Sequence, residues 1–569
     1  MIKLQRSCIQ AVAMAILMGC MPSKASASPI EQIGDRYIIH VSELDLTGDE
    51  SLYDLLMMCP DVLSFDGKGL IRNGQLATLY SKYAIRIDNH EYGLNYETFL
   101  HHLKAREIVE IQICQNAEVM KGAAGMKKII NITLRQGEEG DWGHVGLTGD
   151  TYGGWEGIAT LIHSRKDLRI FSHVEGDQQF SKKDAGHFHN ANEGAKVNLL
   201  WTPSEKDRLE VDIMQNYARS RQQGYTDDVN FRPIAAEYAR DYHLETDYTR
   251  TLSESGAAAF FILTIDHSNY SQGGNYHDRS TYPWGVLEFN VPFLGKNLWL
   301  TAGLEGGIAV EEHLQGKYTD HTSYGDIYVQ ADYTVGKWGF IAGDRFRSIK
   351  FEQNAIAGEP TYRHTTHNHT YTLGVYRHFT PSNTLKATFS RRFYNPVVDD
   401  FIETVGSGEQ THMQYTGLFT HHNIYVSELR HSLNVNKDFS ISSVVQNMHQ
   451  SISTDGYDNT FVIGSTAFWH TGILRLTAGF NYFWDQTNFA VLKLAPQVSL
   501  PAGWRLTSTL IYNTRQKRET EVFAPANLYL ECAAYKNLGK HWQLELRCHD
   551  LAGQHLANRA ADIGCTYCF

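Results

Sequence analysis

The sequence lacks a long apolar run beyond its first residues, which excludes one way of crossing a membrane. A transmembrane helix needs about 20 consecutive apolar residues, and no stretch after residue 27 reaches ~18. Closed β-barrels are the other structure that can span a bilayer. The chain is therefore either a soluble protein or a membrane protein that crosses with strands.

Cysteine is scarce, and its spacing carries no recognisable function. Two of the eight cysteines, Cys8 and Cys20, lie among the first residues. Of the other six, only Cys565 and Cys568 have CxxC spacing, and none has zinc-type spacing with histidine. Cys565 and Cys568 would point to opposite faces of one strand, so they cannot bridge without distortion. We expect inert thiols rather than a disulfide framework.

Enzyme motifs are also missing. The sequence contains no HExxH, GxSxG, Walker A or EF-hand calcium pattern. We therefore predict that the protein is not an enzyme, has no catalytic residues and holds neither a metal nor a cofactor. The formal net charge of -12 disfavours nucleic acid as a partner, because surfaces that bind nucleic acid are basic.

The N-terminus has the features of an export signal. Two basic residues, Lys3 and Arg6, precede the apolar run 9–18, and the small-x-small pattern A-S-A ends at residue 27. This predicts a signal peptide over residues 1–27 and export of the mature chain. A near-lipobox pattern leaves acylation of Cys20 as the alternative.

From about residue 142 onward, apolar and polar side chains alternate with a period of two. Such alternation predicts strands with one apolar face. It is clearest in three consecutive segments, whose apolar faces carry Leu474, Leu476, Ala478, Phe480, Tyr482 and Trp484, then Trp504, Leu506, Leu510 and Tyr512, then Trp542, Leu544, Leu546 and Cys548. A soluble β-sandwich alternates in the same way, so the pattern alone does not identify a membrane protein.

Short connections separate these strands at regular intervals. Ten tight connections lie at 166–167, 203–206, 253–256, 293–296, 335–338, 380–383, 436–439, 470–472, 501–503 and 537–540, with eleven longer, more polar ones around them. This alternation predicts about 22 antiparallel strands with every tight turn on one rim, as in outer-membrane barrels. Closure also removes exposed sheet edges. We predict a transmembrane β-barrel over residues 139–569, in the bacterial outer membrane with lipid against its apolar face.

The last ten residues, AADIGCTYCF, place an apolar side chain at every second position up to Phe569. We interpret them as the final barrel strand, ending in the aromatic residue that outer-membrane proteins present to their assembly machinery. Tyr567 and Phe569 are therefore the predicted barrel-assembly signal.

Residues 37–138 have a different pattern, which mixes helical and strand periods. Leu52, Leu55 and Leu56 have helical spacing, and the segment 108–113 alternates like a strand. We predict a separate α/β domain here, preceded by a short segment at 28–36.

Three runs of this domain, 52–74, 83–93 and 103–135, resemble the plug domain of TonB-dependent receptors. The resemblance is strongest to the Bacteroidetes-type outer-membrane β-barrel family, and it rests on P-D-V at 60–62, I-D-N at 87–89, I-V-E-I at 108–111 and I-I-N-I at 129–132. It implies an α/β plug inside the barrel lumen and uptake of a scarce ligand, such as an iron complex, haem or cobalamin. It also implies an inner-membrane TonB complex as the partner that supplies energy.

A second hypothesis keeps the same scaffold without transport. Residues 28–36 carry no clear coupling motif, and Asp61 and Asn89 stand where the family has glycine. These departures favour a surface protein, such as an adhesin or an assembly component. The plug itself favours transport, because a purely structural barrel needs no gate.

Histidine is plentiful, with 27 residues. Clustered imidazoles can ligate haem iron or divalent metals. The candidates for contact with a small extracellular ligand, in the expected external loops, are His187, His189, His364, His367, His369, His421 and His422. His367 and His369 would share one strand face. Ordinary polar loop composition is the alternative explanation.

Overall fold

The computed structural model describes the chain in two parts. The N-terminal part covers residues 30–33, 36–44, 48, 50–58, 83–88, 90–91, 103–114 and 128–135. The second part runs from residue 139 to 569, with gaps at 184–185, 224–236, 273–275, 295–296, 314–317, 356–361, 381, 395–401, 406–411, 416–421, 437, 454–455, 485–486, 519–520, 525, 550 and 553–559. The predicted signal peptide and His421 lie outside the described residues.

The N-terminal part folds into a small domain built on a mixed sheet. Its strands are β1 (Ile30–Ile33), β2 (Arg36–His40), β3 (Tyr83–Ile87), β4 (His90–Glu91), β5 (Ile108–Cys114) and β6 (Lys128–Leu134). Their spatial order is β1-β2-β5-β6-β3-β4, and the pair β3–β6 is parallel whereas the other pairs are antiparallel. One α-helix, α1, spans Leu52–Met58, and short 3-10 helices span Val41–Glu43 and Ala105–Glu107.

Helix α1 begins at a reciprocal cap. The backbone N–H of Ser51 donates to Asp54 Oδ2 at 3.3 Å, and the N–H of Asp54 donates to Ser51 Oγ at 3.2 Å. This pair satisfies two backbone groups that a helix start leaves without intrahelical partners. Leu52, Leu55 and Leu56 are buried in the domain core, as their helical spacing predicts. No helix among the described residues is long and apolar enough to cross a membrane.

The rest of the chain forms a closed barrel of 22 antiparallel strands, which confirms the predicted architecture. The strands from here on are β7 (Gly140–Asp150), β8 (Trp155–Arg165), β9 (Leu168–Lys183), β10 (Gly186–Ser204), β11 (Asp207–Gln223), β12 (Glu237–Thr251), β13 (Ala258–Gln272), β14 (Tyr276–Phe293), β15 (Leu298–His313), β16 (Tyr318–Val335), β17 (Trp338–Ala355), β18 (Tyr362–Thr380), β19 (Asn383–Tyr394), β20 (Ile402–Val405), β21 (His412–Tyr415), β22 (His422–Asn436), β23 (Phe439–Ser453), β24 (Gly456–Thr471), β25 (Leu474–Trp484), β26 (Thr487–Leu500), β27 (Trp504–Asn513), β28 (Gln516–Arg518), β29 (Glu521–Ala524), β30 (Asn527–Leu538), β31 (Trp542–His549) and β32 (Ala560–Cys568). Two hairpins, β20–β21 and β28–β29, lie within connections, and β32 pairs with β7 to close the wall.

The two faces of the wall differ as the alternation predicts. Leu147, Ile327 and Ile563 of the outer face are 61%, 62% and 70% exposed. On the inner face, polar residues such as Arg475 and Thr477 are buried. An apolar outer surface of this extent needs hydrocarbon around it, because contiguous exposed apolar patches are rare on soluble proteins. The protein is therefore a transmembrane barrel.

The ten tight connections predicted from the sequence all join strands at one rim, which we call the near rim. Exposed tryptophans lie beside five of these connections, at Trp201, Trp338, Trp469, Trp504 and Trp542. Aromatic girdles of this kind mark the interface between membrane and water. The sequence pattern therefore identified both the turns and one membrane boundary.

Connections at the opposite rim, the far rim, differ from the expected long loops. Only two residues, 184–185, separate β9 from β10, and only two, 454–455, separate β23 from β24. Strands β9 and β10 are 16 and 19 residues long, whereas about 9–11 residues suffice to cross a bilayer. Polar sequence that resembled loops therefore belongs to strands that extend beyond the apolar band.

The small domain lies inside the barrel. Its buried core continues into four side chains of the inner wall, which are Ile162, Phe171, Met214 and Phe468. These residues belong to β8, β9, β11 and β24, so the wall contacts the domain from several sides. Most of the contacts lie in the half of the wall that is closer to the near rim.

Candidate functional site

Two arginines of the barrel wall bind the start of helix α1. Arg505 on β27 lies 3.3 Å from Asp54 Oδ2 and 3.8 Å from Glu50 Oε1. Arg475 on β25 lies 3.5 Å from the same atom of Glu50. All four side chains are 7% exposed or less. Because removal of one partner from a buried ion pair leaves an uncompensated charge, these contacts tie the small domain to the wall.

Strand β31 adds two further contacts to the same part of the small domain. The Nζ of Lys104 donates a hydrogen bond to Gln543 Oε1 at 2.7 Å. The guanidinium of Arg547 lies over the ring of Tyr53, 5.2 Å from its centroid, within the range of a cation–π contact. Strands β25, β27 and β31 thus all contribute side chains to the docking surface for the domain.

Sequence reasoning missed these docking residues. Arg475, Arg505 and Arg547 occupy the polar positions of strands whose other face is apolar, and that placement is the only local signal. Their partners lie more than 400 residues away, as with Glu50 and Arg475. No periodic pattern connects positions so far apart.

The other side of the small domain is held by strand β9. Asp88 has a left-handed backbone, with φ 49°, which Asp tolerates better than most residues. Its carboxylate accepts the backbone N–H of Leu134 at 3.1 Å and the guanidinium of Arg169 at 2.5 Å. Asp88, the second residue of the I-D-N motif, therefore follows the end of β3 directly and contacts the wall through its carboxylate.

Strand β7 contacts the small domain through Glu107. His144 Nδ1 lies 3.0 Å from Glu107 Oε1, and the backbone N–H of Lys104 donates to Glu107 Oε2 at 2.8 Å. Burial by itself raises the pKa of the Glu107 carboxyl, but His144 and this N–H outweigh it and hold the pKa below its ordinary value of 4.5. The folded protein therefore favours the charged form of Glu107.

This contact predicts a loss of docking stability in acid. A carboxylate with a depressed pKa stabilises the folded state fully above its unfolded pKa and loses that contribution as the pH falls through the folded value. We expect the contribution of Glu107 to be complete above its ordinary pKa of 4.5 and to be lost as the pH falls through its lower pKa in the folded state. Limited proteolysis of the small domain across a descending pH series measures this loss.

The matched variants are Glu107→Gln and Glu43→Gln, because Glu43 is an exposed carboxyl of the same domain. Glu107→Gln should remove the acid-dependent step, and Glu43→Gln should keep it. An identical step in both variants would contradict the assignment to Glu107.

A second polar cluster lies on the inner wall of β15, β16 and β17. Arg345 lies 3.0 Å from Asp326 and 3.2 Å from Glu305, and Arg347 contacts the same two acids at 2.5 Å and 3.6 Å. The two guanidiniums also stack over tyrosine rings at 4.5 Å and 4.8 Å. Two cations and two carboxylates balance each other here, so this cluster stiffens the wall and offers no unpaired charge to a ligand.

The structure places the predicted ligand-binding histidines on strands and not in loops. His187 and His189 lie on β10, His364, His367 and His369 lie on β18, and His422 is the first residue of β22. His367 and His369 do share a face, but it is the outer face, together with the exposed Leu373. Their rings lie 5.8 Å and 5.0 Å from Phe346.

Two more of these histidines can be assigned to a face. His189 stacks on Phe180 at 4.8 Å and lies on the outer side of the wall, in step with the exposed Val197 and Trp201. His364 lies in step with the buried Thr366 and Asn368, on the inner side. The described histidines therefore do not converge on one site, and their role in ligand binding stays a prediction.

The C-terminal residues lie beside the near-rim girdle. Phe569 exchanges two backbone hydrogen bonds with Gly143 of β7, at 3.0 Å and 3.2 Å. The ring of Tyr567 lies 4.8 Å from that of Trp542 and 6.2 Å from that of Phe569. Tyr567 and Phe569 thus join the aromatic girdle at the closure of the barrel, and their role as an assembly signal stays a prediction.

No family model and no curated protein matches the sequence. Solved structures match it over almost the whole chain. The siderophore receptor PiuA from Acinetobacter baumannii is 11% identical with a TM-score of 0.68, and the match covers 96% of this chain and 99% of that one. The FrpB iron transporter from Neisseria meningitidis is 12% identical with a TM-score of 0.70, covering 95% and 100%.

The open form of the ferric-catecholate import receptor Fiu from E. coli K12 is 10% identical, with a TM-score of 0.70 and coverage of 96% and 100%. At these identities the likeness establishes the fold alone. The chain therefore shares the fold of these three proteins over almost its whole length.

Proposed function

We propose that the protein is an outer-membrane receptor that takes up a scarce small ligand through its plugged barrel, driven by the inner-membrane TonB complex. The observation that carries this proposal is the separately folded domain inside the lumen, held by buried ion pairs to the wall. Iron complexes are the first ligand class to test, because the similar structures are named as siderophore receptors and iron transporters. Haem and cobalamin are the other ligands to test.

The lumenal domain is what a transporter of this width requires. Barrels of about 16–18 strands already leave an aqueous channel, and those of about 22 strands have a plugged lumen. A domain that both blocks the channel and docks through ionic contacts can be shifted without breaking the barrel wall. Residues 37–138 are the proposed plug, and residues 139–569 are the proposed barrel.

The N-terminal segment is the proposed point of energy coupling. Residues 30–33 form β1, an edge strand of the small-domain sheet, whose partner among the described strands is β2 alone. An edge strand of four residues is the part of the sheet that is easiest to detach, because it has a partner on one side only.

The remaining partners in this proposal are outer-membrane lipid and the assembly machinery that recognises Tyr567 and Phe569. The plug motifs favour a receptor of the Bacteroidetes type.

A non-transporting surface protein on the same scaffold is the second candidate. The absence of a clear coupling motif in residues 28–36 favours it. In that case the ionic contacts between the small domain and the wall would serve stability alone.

Growth and uptake in the native host distinguish the two candidates. The strains would carry the intact protein, a deletion, or a form that lacks residues 28–35, which removes β1 and leaves β2 complete. Each strain would be limited in turn for iron, haem and cobalamin, with the amount of barrel in the outer membrane measured as the control.

We expect the deletion and the truncation to impair growth on one and the same nutrient. That result names the ligand class and assigns coupling to the segment 28–35. Equal growth of all strains on all three nutrients would overturn uptake of these ligands and favour the surface protein.

A further inference from the structure

The inner wall carries a histidine–carboxylate cluster close to the far rim. Its members are Asp278 on β14, Glu311 and His313 on β15, and Asp320 on β16. Asp278 is the cross-strand partner of His313, and Glu311 is the cross-strand partner of Asp320. The cluster lies in the far-rim half of the lumen, away from the main docking surface of the small domain.

All four side chains belong to the inner face. On β15, Glu311 and His313 lie an even number of residues from the buried Glu305, and therefore on the same face. On β16, Asp320 lies an even number of residues from the buried Asp326. On β14, Asp278 is in step with the buried Glu288. The cluster therefore faces the lumen and not the lipid.

Three of these residues have the spacing of ligands around one ion. His313 Nε2 lies 3.3 Å from Asp320 Oδ2 and 3.8 Å from Glu311 Oε2, and the three ligand atoms all lie within 4.8 Å of one another. Ligand atoms about 2.0–2.2 Å from a single metal ion are at most about 4.4 Å apart, so the two distances from His313 Nε2 fit one ion.

Asp278 fixes the orientation of the histidine. Its Oδ1 lies 3.0 Å from His313 Nδ1. A histidine that donates its Nδ1–H to a carboxylate presents Nε2 as a lone-pair donor, which is the usual arrangement behind a metal-bound imidazole. Here that Nε2 faces Glu311 and Asp320.

Asp320 supplies an independent indication of a cation. Its side chain is 1% exposed, and neither carboxylate oxygen accepts a hydrogen bond from the described residues. Within the described part of the chain, His313 is the only basic group in ion-pair distance of it. Burial of a carboxylate without hydrogen bonds is costly, and a bound cation would offset that cost.

We propose that Glu311, His313 and Asp320 bind one divalent first-row transition-metal ion, with Asp278 as the positioning residue for His313. One nitrogen and two carboxylate ligands suit Zn²⁺, Mn²⁺ or Fe²⁺ better than Ca²⁺ or Mg²⁺, which prefer oxygen ligands alone. The Glu311 side chain is 44% exposed, so the site opens to solvent. It gives the lumen a binding point for a bare metal ion, a ligand class apart from the iron complexes proposed above.

The sequence predicts no metal site, because the site has no short metal-binding motif. Glu311 and His313 are two residues apart on one strand face, and Asp320 joins them only through the pairing of β15 with β16. Such a site is assembled across a hairpin and has no linear signature.

The test measures metal binding to the purified full-length protein in detergent, with any affinity tag removed and bound metal stripped by a chelator. Zn²⁺, Mn²⁺ and Ca²⁺ are titrated separately by calorimetry, and Co²⁺ is added as a visible-absorption probe of nitrogen ligation. We expect one Zn²⁺ per chain, weaker binding of Ca²⁺, and a Co²⁺ spectrum that requires His313.

The variants are His313→Gln, Asp320→Asn and Asp278→Asn, with His163→Gln as the matched control. His163 also pairs with a carboxylate, that of Asp141, but it lies on the outer face of β8, and the two side chains are 32% and 67% exposed. We expect His313→Gln and Asp320→Asn to abolish stoichiometric binding, Asp278→Asn to weaken it about 10–100-fold, and His163→Gln to leave it unchanged. Heat-dependent electrophoretic mobility verifies that each barrel is folded.

Absence of stoichiometric Zn²⁺, Mn²⁺ and Co²⁺ binding by the unmodified protein would overturn the proposal. So would binding that survives in both His313→Gln and Asp320→Asn, because the ion would then lie elsewhere. Both outcomes are independent of the growth experiment, since binding is measured on purified protein without transport.

Discussion

Arg505→Met is expected to loosen the small domain from the barrel wall. The substitution leaves Glu50 and Asp54 buried, at 0% and 5% exposure, with one of their cationic partners gone. Breaking a buried ion pair on one side costs about 3–5 kcal/mol. We expect the urea concentration that exposes the small domain to proteases to fall accordingly, and the barrel to conduct ions at lower urea than the unmodified protein.

Two further variants make this prediction specific. Arg363→Met removes an arginine that is 67% exposed and paired with Glu352, and exposed pairs contribute little, so it should change nothing measurable. Adding Asp54→Asn to Arg505→Met should restore part of the loss, because it removes the carboxylate that has lost its cationic partner, whereas Glu50 keeps Arg475. Protease resistance of Arg505→Met equal to that of the unmodified protein would refute the docking role of this residue.

Leu546→Arg is expected to impair insertion of the barrel into lipid. Leu546 is 47% exposed on the outer face of β31, and its cross-strand partner on β32 is Ile563, which is 70% exposed. An arginine on the lipid face costs about 2–4 kcal/mol near the middle of the bilayer. Urea titrations of the barrel refolded into lipid vesicles should show this loss as a lower unfolding midpoint.

Leu551→Arg is the matched control for this experiment. Leu551 is 49% exposed, but it lies beyond the end of β31 in the connection at the far rim. An arginine there remains in water, so the midpoint should stay close to that of the unmodified protein. Equal stability of the two arginine variants would mean that the outer face does not contact hydrocarbon.

The barrel could be predicted from the sequence because its determinants are local. Within the apolar band each strand alternates apolar and polar side chains, and each near-rim turn has its own turn-forming residues. The face of Leu474 or Trp542 follows from its immediate neighbours, and the structure agrees with the prediction for both. The helix that starts after Ser51 is local in the same sense, since its cap and its leucines lie within six residues.

The far rim could not be predicted in the same way. Beyond the apolar band, neither face of a strand has to be apolar, so apolar and polar side chains no longer alternate. The polar sequence there therefore predicts loops. As a result, His189 and His367 were expected in ligand-binding loops, whereas the structure places both on the outer side of strands.

The sequence predicts about 22 strands, the lipid-facing side of the segments with the clearest alternation, the rim with the tight turns and a separate N-terminal domain. Which charges meet depends on the tertiary structure. Closure of the barrel brings β25, β27 and β31 against a domain that begins the chain, so Glu50 meets Arg475 and Arg505, and hairpin pairing brings Asp320 to His313. These contacts depend on the curvature and register of the whole wall, which cannot be derived from any short stretch of residues.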